Sequence, residues 1–351
     1  MFAEKHYPET ILPEELDSYL AKGWYRMGQT IFTTHFLCFD DQFYSAIWVR
    51  LPLVDYKFSK SLRKLLRQND AKFQTKFRRA NFNDEKEKLY QVYRATFPGL
   101  LAPSLKDSLL DGDGEESNVF DTYEVAIYDG DRLIAFSFFD LGNKSVASII
   151  GVYDPEYQKH SLGLFTMIKE IQYTQEKKLQ YYYPGYIVPG YARFDYKLRI
   201  GLVEYYNLKT STWLPFPDFR EEEIPLNKME KNLNLLCQKL QDAGIPAQKY
   251  YYPLFEANLF GFWRAPYFDY PVLINCLPKK EVKYFLMAVF DIRENAFLLH
   301  RCVQFDDLRF YFNETYTQSF DRQRYFMDLI VMEACVFKNK DVDRLVDFLK
   351  M

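Results

Sequence analysis

Between Tyr186 and Glu204 the chain gathers side chains that can move protons and polarise a carbonyl: Tyr186, Tyr191, Asp195, Tyr196, Lys197 and Glu204. Phenols and an ammonium group donate hydrogen bonds to a tetrahedral oxyanion. A weak base takes one proton from an incoming ammonium group. Acyl transfer to an amine asks for those two functions and for accurate placement of two reactants, with neither a metal nor a catalytic triad. Lys197 fits a surface ion pair equally well, and both readings stay open at this level.

Two other stretches suit phosphate. From Lys57 to Arg79 there are nine basic residues (Lys57, Lys60, Arg63, Lys64, Arg67, Lys72, Lys76, Arg78, Arg79) against one acid, Asp70. Ser59 is a natural N-cap for a helix that places Arg63 and Arg67 one turn apart on one face. In a chain of net charge −3, such a run is the kind of local patch that grips nucleic-acid phosphates. The competing reading is a solvated amphipathic helix burying Leu62, Leu65 and Leu66. The second stretch is Gln158-Lys159-His160-Ser161-Leu162-Gly163, expected as a loop whose free N–H groups meet the positive end of a helix dipole.

The elements that must position these groups are legible. Ala147 to Tyr153 is apolar and β-prone and is ended by Asp154-Pro155. Ser161 to Lys178 has helical periodicity, with Leu164, Ile168 and Ile171 on the apolar face. Leu179 to Val188 reads as a second strand, stopped by Pro189-Gly190, with Tyr182 on the opposite face from Tyr181 and Tyr183.

In this order and spacing, Tyr153-Asp154-Pro155, Ser161-Leu162-Gly163, Glu170-Ile171, Tyr183, Gly185-Tyr186 and Tyr196-Lys197 resemble the C-terminal half of the arginyl-tRNA–protein transferases and their bacterial leucyl-transferring relatives. Ser59-Lys60-Ser61-Leu62-Arg63 resembles the family's serine-basic-serine-x-arginine segment. Gly23-Trp24-Tyr25-Arg26-Met27-Gly28 is similar to its glycine-tryptophan-arginine-arginine-x-glycine segment, with one arginine replaced. The resemblance implies an N-acetyltransferase-like fold whose acyl-donor site is adapted to the end of an aminoacyl-tRNA. It implies an acceptor protein N-terminus as the second partner. The catalytic positions to expect are Tyr186, Asp195, Tyr196, Lys197 and Glu204. The donor-binding ones are Arg26, Lys60, Arg63, Lys64, Arg67, Gln158, His160, Ser161 and Gly163. There are departures: Tyr191 stands where the family often has cysteine, and Arg193 replaces a lysine. The family's N-terminal cysteine pairs are missing, leaving Cys38 alone in that region, so no metal and no cofactor is expected.

The expected fold class is α+β, an N-acetyltransferase-like mixed sheet flanked by helices. The expected divisions are a small N-terminal subdomain (1–80), the N-acetyltransferase-like domain (81–216) and an α+β extension of unknown role (217–351). Tyr123 to Tyr128 and Leu133 to Leu141 form a hairpin around Asp129-Gly130-Asp131. Glu85 to Phe97 is helical, and Leu100 to Asn118 ends in a polar acidic loop. In the extension, Asn227 to Ala243 is helical and Lys249 to Tyr270 is irregular. Val282 to Ile292 and Ala296 to Phe305 pair as strands, with Leu308 to Phe312 a third. Arg322 to Phe337 and Asp341 to Lys350 are read as helices. The 19% aromatic content fits an aromatic-rich core first and base-stacking surfaces second. Five scattered cysteines and the lack of a signal-like or membrane-spanning run point to a cytoplasmic protein with reduced thiols.

Two further functions remain compatible with these residues. An acyl-coenzyme A N-acyltransferase would want Q/R-x-x-G-x-G/A where this chain has Ser161 at the first glycine position. A non-catalytic descendant that binds RNA or protein would keep the fold alone.

Overall fold

The computed structural model describes residues 1–39, 41–99, 101–112, 114, 118–259, 265–276, 284–305 and 320–350. The proposed third strand at Leu308 to Phe312 and most of the acidic stretch after Gly112 lie outside these residues.

The chain begins with β1 (Ala3–His6), α1 (Pro13–Leu20), β2 (Tyr25–Met27) and β3 (Thr30–Thr34), and the three strands form a small sheet in the order β1-β3-β2. A hairpin follows, β4 (Phe36–Phe39) with β5 (Gln42–Ser45). Next come β6 (Ile47–Pro52), α2 (Lys60–Asp70), β7 (Gln74–Arg79), α3 (Asp84–Thr96) and α4 (Leu105–Leu110). The central run is β8 (Thr122–Asp129), β9 (Arg132–Leu141), β10 (Ser145–Tyr153), α5 (Leu162–Glu176) and β11 (Tyr181–Ile187), followed by β12 (Glu204–Asn207) and β13 (Thr212–Pro215). These build an eight-stranded sheet, β13-β12-β6-β11-β10-β9-β8-β7, antiparallel except for the pair β10 and β11. Parallel neighbours require a crossover, and α5 supplies it as the sequence pattern predicts. The fold is thus α+β with a mixed sheet flanked by helices. Strands β6 and β7, from the first eighty residues, belong to the same sheet as β8 to β11.

One apolar face of this sheet is covered by α2 and α5, through Leu62, Leu66, Phe165, Ile168 and Ile171. The other meets α1 and the small sheet, through Leu16, Leu20, Ile31 and Trp48. The remaining chain forms α6 (Pro225–Asp242), β14 (Gln248–Tyr251), β15 (Val272–Asn275), β16 (Phe285–Asp291), β17 (Ala296–Gln304), β18 (Ile330–Asn339) and α7 (Val342–Lys350). Its five strands pair antiparallel in sequence order, and α6 and α7 pack on them. The core of this unit also takes in Phe2 and Phe36 from the start of the chain.

The extension holds two corrections. The expected helix at Arg322 to Phe337 is replaced from Ile330 by strand β18, laddered on β17 over its whole length. The residues Ile330-Val331-Met332 and Val336-Phe337 prefer strands, and pairing with a formed neighbour overrides a helical spacing. The stretch expected to be irregular, Lys249 to Tyr270, contributes β14 and a 3₁₀ helix, Pro253–Leu259. No helix among the described residues is long and apolar enough to cross a membrane.

Arg26, expected at the donor site, is instead a structural clamp. It is 5% exposed. Its guanidinium pairs with Asp140 at 2.9 Å and donates to Thr122 Oγ1 (2.8 Å) and to the Leu109 carbonyl (2.6 Å), while Nε donates to the Gly28 carbonyl (2.7 Å). No phosphate can reach a group so enclosed. Removing one partner of a buried pair leaves the other charge uncompensated. Arg26→Ala should therefore cost about 3–5 kcal/mol of unfolding free energy, read from the urea midpoint at constant slope. A change within ~0.5 kcal/mol would show that Asp140 is held by other groups.

Candidate active site

The site begins where two strands part. Strands β10 and β11 pair only over Ser145 to Ala147 against Tyr181 to Tyr183. Pro184 follows, the position without an N–H falling on the side of β6, and Gly185 takes φ +94°, a left-handed conformation that disfavours any side chain. Both strands carry irregularities here, β10 between Ser148 and Ile150 and β11 between Tyr182 and Gly185. Beyond this point β10 follows β9 and β11 follows β6, so a cleft opens between them.

The parting frees backbone carbonyls that need donors. Tyr25 meets them: its hydroxyl lies against the carbonyls of Ser148 and Tyr183, 2.8 Å from the latter. The sequence reading missed Tyr25, which sits beside the arginine it singled out. On the other face Tyr182 donates to Glu170 Oε2 of α5 at 2.7 Å, and burial pushes that carboxyl up to about 7.

Lys197 and Tyr186 meet at the open end of the cleft. Lys197 lies on a 3₁₀ helix, Ala192–Ile200, and its Nζ donates to the Tyr186 carbonyl at 2.8 Å. The ammonium stands 5.2 Å from the Tyr186 ring centre and 5.1 Å from that of Phe194. No carboxylate pairs with it among the described residues, which favours a functional amine over a surface ion pair. Burial lowers its pKa to about 7, so near neutrality it can both donate and accept a proton. A side chain at position 185 would place its Cβ 3.2 Å from Nζ, a second reason for glycine there. The Tyr186 phenol is raised to about 12 by burial, helped by the charge of Glu256, and stays protonated as a hydrogen-bond donor. Its ring packs edge-on against Trp48 at 5.1 Å.

The other expected catalytic residues divide. Tyr196 is 40% exposed beside this group and Asp195 is exposed. Glu204 is placed elsewhere: it pairs with Arg50 at 2.7 Å on β12, two strands from β11. Arg50 is itself held between Tyr181 and Trp213, 4.0 and 4.7 Å from their rings. A carboxylate so engaged is a poor base for the cleft. Tyr191 packs on Phe39 and Phe194, and Arg193 covers the Phe97 ring.

The donor-side residues come together better. On α2, Lys60, Arg63, Lys64 and Arg67 are all exposed and none has a carboxylate partner among the described residues. Ser59 caps this helix through the Leu62 N–H. The one acid of the run, Asp70, is neutralised by Lys169 at 2.7 Å. The strand half of the run differs, since Arg78 pairs with Glu124, Arg79 with Asp121, and Lys76 lies over the Tyr128 ring. Among the described residues of the run, the unpaired positive charge thus lies on α2 and at its flanks, Lys57 and Lys72.

Gln158 to Ser161 is not an open loop. Pro155–His160 is a 3₁₀ helix capped by Asp154, and Ser161 adopts φ +50° before α5 starts. Free donors persist one step later: the N–H groups of Leu162 to Leu164, the first turn of α5, meet no acceptor among the described residues. Gly163 in that turn faces the Tyr153 ring, where an added Cβ would make ordinary contact at 3.6 Å. Asn69 at the end of α2 donates to the His160 carbonyl at 2.9 Å, joining the cationic helix to the start of α5. A nearby groove of about 540 Å³ is lined by Lys72, Lys159 and His160 but also by Asp129 and Glu156, a poorer bed for phosphate than α2.

The low pKa of Lys197 has a consequence for stability. Between about pH 7 and 10.5 the unfolded chain binds a proton at this residue that the folded chain does not, so its contribution to stability rises with pH across that window. Lys197→Met should therefore stabilise the protein most below pH 7, with the gain shrinking toward pH 10. Urea titrations at both ends check this, and a difference independent of pH would contradict it.

The family profile described as arginine-tRNA-protein transferase, C terminus, matches residues 68–207. Among curated proteins, the chain is 29% identical over 197 residues to the aspartate/glutamate leucyltransferase of Leptospira interrogans, covering 54% of this chain and 74% of that one. The Campylobacter jejuni protein of the same name is 29% identical over 196 residues, 53% of this chain and 77% of its own. Solved structures align more loosely. The C-terminal domain of a putative lysylphosphatidylglycerol synthetase from Agrobacterium fabrum gives a TM-score of 0.34 at 10% identity, over 40% of this chain and 46% of that one. A GCN5-related glucosamine N-acetyltransferase region of a fungal β-N-acetylglucosaminidase gives 0.33 at 15%, over 55% and 22%. The sequence matches run through β10, α5 and β11 and carry residues that line the cleft, so this part of the chain is similar to the arginine-tRNA-protein transferases and the aspartate/glutamate leucyltransferases.

Proposed function

We infer that this chain moves an amino acid, leucine or arginine, from its tRNA ester to the N-terminal amine of an acceptor protein. The observation that carries the reading is the juxtaposition of a proton-exchanging cleft with a cationic helix whose charges are unspent inside the fold. The reaction turns an ester into an amide and is downhill, so placement and oxyanion stabilisation are the main demands on the protein.

The Lys60, Arg63, Lys64 and Arg67 face would hold tRNA phosphates, and the first turn of α5 would receive the terminal nucleotide. This puts the aminoacyl ester at the parting of β10 and β11. There Tyr186 and Lys197 would donate to the carbonyl oxygen as it becomes an oxyanion. The acyl-coenzyme A alternative wants a glycine-rich loop in place of the capped 3₁₀ turn and Ser161. A cytoplasmic setting, where charged tRNA is made, accords with the reaction.

Two measurements test this. Labelled amino acids on a total charged tRNA pool should be transferred to peptides with some N-terminal residues and not others. Coenzyme A should give no thermal stabilisation; a shift equivalent to about 2.7 kcal/mol at a hundred times Kd, with no transfer from tRNA, would favour the acyltransferase alternative. For the phosphate face, Arg63→Ala with Arg67→Ala should flatten the dependence of log K on log salt by roughly two units, about one per lost contact. The melting temperature should stay nearly constant because both residues are exposed. An unchanged salt slope would remove α2 from the tRNA site.

A further inference from the structure

The family match ends at residue 207, yet the region beyond it reaches the cleft. Its core includes Phe2 and Phe36. Asp269 accepts from the Phe2 N–H, and Arg293 stacks 3.8 Å from the Phe2 ring centre. Strand β1 is clamped this way, and the 3₁₀ helix Pro253–Leu259 lies against it. Residues three apart on a 3₁₀ helix eclipse one another, so Glu256 and Leu259 share a face. Leu259 sits in the cluster of Tyr25, Trp48 and Tyr183, with Tyr186 packed against it. Phe255 points another way, onto Phe36 and Phe43. The helix thus turns Glu256 toward the Tyr186 side of the cleft.

Glu256 is half-buried and has no hydrogen-bond or ion-pair partner among the described residues. Every fully buried carboxylate among those residues does have one. Asp140 has Arg26, Glu124 has Arg78 and Lys86, and Asp154 has Arg132. Glu170 has Tyr182, Asp269 has backbone N–H groups, and Asp291 has Arg293. A carboxylate half withdrawn from water, without a donor and turned toward a reactive cleft, is a ready partner for a cationic group. Burial pushes Glu256 up to about 7.

Building on the transferase reading, we propose that Glu256 binds the α-ammonium group of the acceptor's N-terminal residue and accepts its first proton. The amine nitrogen then attacks the ester carbonyl carbon and the C–N bond forms as the C–O bond to the ribose breaks. A second amine proton ends on the departing ribose oxygen, and Glu256 returns the first to solvent. The extension is thereby part of the active site.

The titratable groups facing this place are Tyr186 from β11 and Lys197 beside it. Strand β1 carries Glu4 and His6, paired with each other at 3.0 Å, and Lys5. The test uses the full chain and a short peptide beginning with aspartate, with a free or an acetylated N-terminus. The wild type should bind the free-amine peptide at least roughly tenfold more tightly, a charge-assisted preference that E256Q abolishes and E256D retains in part. Where transfer is measured, E256Q should raise KM for the peptide and leave affinity for charged tRNA unchanged. Its rate should keep rising with pH above 7, where the wild type levels off. A free-amine preference that survives in E256Q, with the variant melting like the wild type, overturns the proposal even if transfer occurs. A Glu256-dependent preference with no transfer from any charged tRNA upholds the ammonium site and defeats the transferase reading instead.

Discussion

The early end of the β10–β11 ladder, after three residue pairs, shapes this protein more than any single attractive contact. A parallel pair in mid-sheet would ordinarily continue to the strand ends, each N–H finding a carbonyl. Here the ladder stops at Tyr183, and two residues on Gly185 turns the chain in a conformation only glycine holds comfortably. The sheet is kept from collapsing across the gap because β9 and β6 hold the outer sides of β10 and β11. Tyr25 supplies a hydroxyl where the carbonyls would otherwise be stranded. The cleft is therefore a consequence of the ladder's failure, and what lines it is whatever the two departing strands carry.

Much of this was legible in sequence because it rests on local signals. The strand, helix, strand order of β10, α5 and β11 follows from periodicity bounded by prolines. The cap at Ser59 and the exposed arginines of α2 follow from spacing alone. What failed depended on partners distant in sequence. Arg26, which the resemblance places at the donor site, is instead taken up by Asp140, 114 residues away. Glu204 reads as a free base until β12 lies beside Arg50. Strand β18 has side chains that tolerate either state, and only the presence of β17 decides. Glu256 carried no signal at all, because its meaning lies in what its neighbours leave unpaired.

The N-terminal strand is the mechanical link between the two sheets. Phe2 contributes to the core of the extension while its neighbour Ala3 belongs to the cluster beneath the cleft. Leu226 donates its N–H to Ser45 Oγ at 3.0 Å, and Tyr325 donates to the Asp41 carbonyl at 2.9 Å, so the β4–β5 hairpin is held from the same side. Such contacts bury apolar surface from both units at once, and the extension is therefore packed as part of the core rather than tethered.

The charges of the molecule are arranged in two regimes, and the difference separates holding from reacting. On α2 the cations are exposed and have no carboxylate partner among the described residues, as a grip on phosphates requires. Around the cleft the groups are withdrawn from water: Lys197 is pulled down to about 7, while Glu170 and Glu256 are pushed up to about 7. Burial is the leading cause in all three, so the fold itself, rather than a network of paired charges, sets them near neutrality. A proton can then pass among such groups, an incoming amine and solvent without a large step in free energy. Glu170 already has a phenol as its donor, and Lys197 has a carbonyl as its acceptor. Of the three, Glu256 alone lacks a partner among the described residues, and a cationic amine is the one reactant of the transfer that would complete it.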